Sequence, residues 1–158
     1  MKLAAVQMVS GVDPEANLRD ALRLIRQAAD QGAELVCLPE HFALLGHKDT
    51  DKLAIREVWG RGPLQEALSA VARECKLWLV GGTMPMAIEH CADQAHNTLA
   101  VWNPQGECVA RYDKIHLFEF NHGDEQFNES RVLRHGQQPV VVDGVDRSGR
   151  SWRMGLSV

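Results

Sequence analysis

The sequence has no apolar run able to cross a bilayer. Its longest, such as Leu77–Val80 and Val140–Val142, fall far short of the roughly 20 residues that a helical span needs. It also lacks a basic excess: 17 Lys and Arg stand against 21 Asp and Glu, a net charge of −4. That balance leaves no electrostatic footprint for nucleic acid or a membrane surface. There are four cysteines, Cys37, Cys75, Cys91 and Cys108, with no Cys-x-x-Cys pair among them. This pattern suits neither a zinc ribbon nor a disulfide scaffold, so reduced thiols in a cytoplasmic protein are expected. The opening MKLAAVQM resembles a signal peptide only briefly, because Gln7, Ser10, Asp13 and Glu15 interrupt it. No repeat, low-complexity tract or linker appears. What is present is a globular composition, 45% hydrophobic and 24% charged over 158 residues, which is about one domain.

The pattern along the chain alternates strands and helices. Leu3–Met8 reads as a short buried strand. Asp13-Pro14 supplies an N-cap followed by proline at the first helical position. Leu18, Ala21, Leu22, Ile25, Ala28 and Ala29 then recur at helical spacing, and Gly32 is placed to end the helix. Glu34–Leu38 is continuously apolar enough for a buried strand. A short helix is expected around Asp51–Trp59, and a second long one opens at Pro63, with Leu64, Ala67, Leu68, Val71 and Ala72 on one face. Leu77–Gly82 reads as a third strand and 84–96 as a loop. Thr98–Trp102 and Cys108–Tyr112 flank Asn103-Pro104-Gln105-Gly106, good turn chemistry for a hairpin. A long polar segment spans Glu119–Gln138; Pro139–Val142 and Ser151–Val158 are the last strands. The order β-α-β-α-β followed by strands predicts an α/β protein, a sheet with helices packed on it.

Two ionisable residues directly follow apolar strands. Glu40 comes after Leu35-Val36-Cys37-Leu38-Pro39, and Lys114 after Val109-Ala110-Arg111-Tyr112-Asp113. A carboxylate so placed suits a general base, and a partly desolvated lysine suits oxyanion stabilisation. Either alone is also what a solvated strand boundary looks like. His90, Cys91, Asp93 and His96 carry ligand-type side chains but no metal-site spacing, so a polar surface loop is expected there and no metal. Gly60-Arg61-Gly62-Pro63 precedes a helix, yet proline at its start removes a donor, and no nucleotide or other cofactor is expected.

The words around these residues resemble the nitrilase superfamily of carbon–nitrogen hydrolases. Leu38-Pro39-Glu40-His41-Phe42 is similar to that family's strand-end glutamate motif, and Tyr112-Asp113-Lys114-Ile115-His116-Leu117-Phe118 to its lysine motif. Lys2–Met8, Gly81-Gly82-Thr83 and Asn97-Thr98-Leu99 resemble its first strand, third-strand end and hairpin start. Phe127-Asn128-Glu129-Ser130 with Gly136 resembles the loop carrying its second glutamate. Arg153-Met154-Gly155-Leu156-Ser157-Val158 resembles the strand leading to its nucleophile. The likeness covers the whole chain, in family order, and lies nearest the ω-amidase and deaminated-glutathione amidase branch.

The resemblance implies the N-terminal part of a four-layer α-β-β-α sandwich, incomplete at its C-terminus, with residues 1–158 a single partial domain. It implies thiol-dependent hydrolysis of an amide in a small carboxylate-bearing substrate through a thioester. Glu40 would be the general base, Lys114 the oxyanion stabiliser and Glu129 the second glutamate. The nucleophilic cysteine is expected at position 159, immediately after Val158, either lost by truncation, which would leave the 158-residue chain inactive, or present as a modified residue. None of the four cysteines present sits in such a motif. A homo-oligomer is the expected assembly, because a half-sandwich leaves an apolar sheet face to cover. The alternative is a non-catalytic fragment or interaction protein with the same fold.

Overall fold

The computed structural model describes residues 1–123 and 125–158. Five strands form one sheet in sequence order: β1 (Leu3–Ala5), β2 (Leu35–Cys37), β3 (Trp78–Ile88), β4 (Cys91–Trp102) and β5 (Cys108–Asp113). β1, β2 and β3 run parallel; β4 is antiparallel to β3, and β5 to β4. β5 therefore points the same way as β2 and β3. The chain leaves β2 and β5 at the same edge of the sheet, so their following residues, Glu40 and Lys114, start from one side.

The parallel pairs need crossovers, which two helices provide. Helix α1 (Pro14–Asp30) starts where Asp13 accepts the Glu15 and Ala16 N–H groups, at 2.9 and 3.1 Å. It turns Ala21 and Ile25, both wholly buried, toward the sheet. Helix α2 (Pro63–Cys75) buries Leu64, Leu68, Val71 and Ala72. With Val36, Leu79, Met84, Met86, Ala100 and Trp102 they form the larger core cluster. Truncating a side chain such as Ile25 to Ala there would cost about 2–5 kcal/mol.

Adjacent strand residues face opposite ways. Leu35, Val80, Leu99, Val101 and Tyr112 line the other face of the sheet, where Val142 and Leu156 cover them. Those two come from β8 (Val140–Val145) and β9 (Ser151–Leu156), an antiparallel hairpin. Trp78 and Trp152 meet edge to face at 4.9 Å, and the Trp78 indole donates to the Val145 carbonyl at 3.1 Å. The layers are thus helices, a mixed sheet and a second, two-stranded sheet: the α/β sandwich expected, with three of its four layers.

Several local expectations need correction. Residues 84–96 are not a loop; they complete β3 and begin β4, which turn at Glu89 and His90. Pro85 disguises the strand because it cannot donate to a ladder, but its carbonyl still accepts the Glu57 N–H at 3.0 Å. The first strand is an edge strand rather than a buried one: Leu3 is 61% exposed. The helix expected around Asp51–Trp59 is a 3-10 turn over Asp49–Ile55. The polar segment 119–138 holds the hairpin of β6 (Glu119–His122) and β7 (Glu125–Asn128), then a 3-10 turn at Glu129–Arg131.

Candidate active site

The sheet alone would leave Glu40 and Lys114 three strands apart. The chain beyond β2 closes the distance by crossing over β3. Leu38 N–H bonds the Val80 carbonyl at 2.9 Å, and His41 N–H bonds Thr83 Oγ1 at 2.8 Å. β3 shifts register between Val80 and Thr83. Gly82 sits at this crossing with φ 59°, and a Cβ there would collide with the Pro39 carbonyl. The Gly81-Gly82-Thr83 word thus has a local cause: one residue must let a second backbone pass, and the next must hold it. Glu40 then reaches β4, where Asn97 Nδ2 donates to its Oε1 at 2.8 Å.

Lys114 is fixed from both sides. Its N–H bonds the Asn97 carbonyl at 2.9 Å, and its own carbonyl accepts from Gly136 N–H at 2.8 Å. Gly136 lies so close to the Asp113 carbonyl that a Cβ would not fit. Glu129 is placed by the 3-10 turn, capped by Asn128 accepting the Ser130 N–H at 2.8 Å. Phe118 N–H donates to Glu129 Oε2 at 2.7 Å while Glu129 N–H bonds the Phe118 carbonyl at 3.0 Å. Beyond the turn, buried Val132 and Leu133 tie the segment to Ala95 of β4.

The three side chains converge. Lys114 Nζ lies 2.9 Å from Glu40 Oε1 and 3.0 Å from Glu129 Oε2. Lys114 and Glu129 are buried, whereas the Glu40 side chain is 36% exposed and opens the cluster to solvent. Burial by itself would lower the Lys114 pKa; the hydrogen bonds and charges of Glu40 and Glu129 overcome it and raise the pKa above the ordinary lysine value. Burial likewise works to raise Glu129, but the Phe118 N–H and the Lys114 ammonium hold its carboxyl below the usual range. At neutral pH the pair is an ammonium facing a carboxylate.

His41 completes the arrangement. Its Nε2 is 3.6 Å from Glu40 Oε1 and 3.7 Å from Glu129 Oε1. Burial, aided by the charges of Lys52 and Lys114, pushes its pKa down despite the two carboxylates, so the ring is neutral at pH 7. Glu40, His41 and Glu129 are spaced as a metal cage would be. However, the Lys114 ammonium already bonds both carboxylates, supplying the positive charge that a metal ion would bring.

The sequence named Glu40, Lys114 and Glu129, and the structure brings all three together. His116, within the lysine motif, is exposed. Asn97 and Thr83 emerge as positioning residues known beforehand only as parts of motif words. Burial pushes the Cys37, Cys75 and Cys108 thiols up, away from reactivity. The His90–His96 stretch is the exposed end of the β3–β4 hairpin, where Cys91 bonds Asp93 and His96 bonds the Arg134 carbonyl.

Helices on one face of a mixed sheet, a second sheet on the other and a lysine clasped by two glutamates define a nitrilase-fold protein. Residues 2–158 match the carbon–nitrogen hydrolase family, and the chain belongs to it. Omega-amidase NIT2 of Pongo abelii is 37% identical over 94% of this chain and 52% of its own length. Deaminated glutathione amidase of Synechocystis sp. is 36% identical over 98% of this chain and 56% of its own. The crystal structure of Saccharomyces cerevisiae Nit3, of the nitrilase superfamily, superposes with a TM-score of 0.75 at 25% identity. That match covers 94% of this chain and 51% of Nit3. The chain spans about half the length of the curated relatives it matches.

Proposed function

We propose that this chain carries the glutamate–lysine–glutamate part of a thiol-dependent amidase site, acting on a small amide that bears a carboxylate. The observation that carries the reading is the Lys114 ammonium seated between Glu40 and Glu129. An ammonium has three N–H donors. One serves Glu40 Oε1, and one is shared between the Glu129 oxygens at 3.0 and 3.3 Å. Among the described residues the third is left for an oxyanion.

Glu40 suits the base. Its contacts with Asn97, Lys114 and His41 all run through Oε1, so among the described residues Oε2 is unengaged. In the reaction proposed, a cysteine thiol supplied just beyond β9 gives its proton to Glu40. A free thiol, with a pKa near 8.5, is mostly protonated at neutral pH and needs that help. The thiolate attacks the amide carbon, and Lys114 bonds the resulting oxyanion. Collapse breaks the C–N bond, and ammonia departs with the proton held on Glu40. Glu40 then takes a proton from water, whose oxygen attacks the thioester; the carboxylic acid leaves and the thiol is restored. Glu129 holds Lys114 charged and aimed.

Val158 packs on the buried cluster that holds Tyr112, two residues before Lys114, and against which Ile115 also packs, which suits delivery of a nucleophile from this strand. The test is turnover of an ω-amide of a short carboxylic acid by the intact protein and its Glu40→Gln variant. Loss of about 10²-fold or more in turnover with the fold retained is expected. Unchanged turnover would remove Glu40 as the base.

A further inference from the structure

Beside the Glu40–Lys114–Glu129 cluster lies a cleft of about 500 Å³, within the range of small-molecule sites. Its wall is unevenly charged. Among the described residues, His41, His47, Lys48 and Lys52 line it, with Asp49 the one carboxylate and Phe127 on an apolar side. Lys52 lies half-buried on the 3-10 turn, and among the described residues neither it nor Lys48 forms an ion pair. His41 belongs both to this cleft and to the charged cluster, 3.6 Å from Glu40. The positive field of Lys52 reaches it, being one of the causes that keep its ring neutral.

We infer that Lys52 is a specificity-determining residue: it binds the carboxylate of an ω-amide whose amide carbon lies at Lys114. The inference deepens the amidase reading and rests on it. Two cationic centres, one at the reacting oxygen and one across the cleft, fit a short molecule with an amide at one end and an anion at the other. His41 separates them without adding charge of its own. Lys52 supplies a point charge on a long stem, so the site would tolerate some variation in substrate length. Lys48 is more exposed and contributes less, because water screens it.

The experiment compares succinamate with uncharged butyramide as substrates of the intact protein, and measures succinate binding by calorimetry. Lys52→Met is expected to raise KM for succinamate and weaken succinate binding about tenfold or more, the range of a lost charge-assisted bond. The kcat and the butyramide reaction should move less than about twofold, and Lys52→Arg should restore most of the loss. Succinamate turnover with KM unchanged in Lys52→Met would overturn the inference and leave the amidase reading standing. Lys52-dependent succinate binding without turnover of either amide would support the cleft and overturn the amidase reading. Absence of both succinate binding and turnover would overturn the two together.

Discussion

Two buried glutamates in this protein look alike by burial and differ in everything else. Glu57 is 7% exposed and Glu129 is 5%. Glu57 accepts the Leu64 and Gln65 N–H groups at 2.6 and 3.2 Å and the Gln65 amide at 2.9 Å. It caps helix α2, where Gly62 offers no side chain, and its charge answers the helix dipole. The helix start that follows the glycine-bearing stretch at 60–63 is thus met by the protein's own carboxylate. Glu129 instead shares an ammonium with Glu40, which lies 89 residues earlier, beside an open cleft. Burial of an acid does not by itself mark a site. A second charge brought from far along the chain, with a cleft beside it, does.

The comparison breaks most sharply at Lys114. Lys114→Met would leave two carboxylates facing each other. The variant should lose about 3 kcal/mol of stability, the lower end for a broken buried pair because Glu40 is partly solvated. Turnover should fall a further 10²- to 10³-fold per folded molecule, the usual loss for one oxyanion donor. Chemical denaturation and steady-state assays read the two effects separately. A variant as stable and active as the parent would make Lys114 a bystander.

The same substitution at both glutamates sharpens the contrast. Glu129→Gln should cut turnover roughly 10²-fold, since Lys114 loses half its clasp. Glu57→Gln should cost about 1 kcal/mol of stability through a weaker helix cap and leave turnover per folded molecule unchanged. Comparable activity losses in the two variants would erase the distinction drawn between them.

The smallest expected effect is a pH slope. The folded pKa of Glu129 is depressed, so its stabilisation is complete above about pH 4.3 and is lost as acid passes its lower folded value. That of Lys114 is raised, so its share is complete below about pH 10.4 and fades only in stronger alkali. Between pH 7 and 5 it is His41 that responds. Unfolded His41 takes a proton near pH 6.5, whereas the folded ring resists it, so stability falls as pH drops from 7 toward 5. Urea unfolding at pH 7 and 5.5 should show a shallower loss in His41→Asn. Asn tolerates the φ of 52° found there.

Much of this was legible in the sequence because the signals were local. Asp13-Pro14, the apolar period of α1 and the Asn103–Gly106 turn each encode their own structure. Glu40 and Lys114 stood out because each ends an apolar strand, and the family words joined them to Glu129. What stayed hidden depended on distant partners. Pro85 joins a strand through pairing that no neighbouring residue announces, and Asn97 matters only because the chain crossing Gly82 delivers Glu40 to it. The basic wall of the cleft was equally invisible, since Lys52 and His41 meet only once the 3-10 turn is folded against the sheet.

The most direct measurement is an NMR titration of the Lys114 side chain in the intact protein, following its Cε and Nζ signals from pH 7 upward. A lysine clasped by two carboxylates keeps its proton beyond the ordinary value near 10.4. A Lys114 signal that titrates at or below that value would mean the clasp does not exist in solution, and the oxyanion role would go with it.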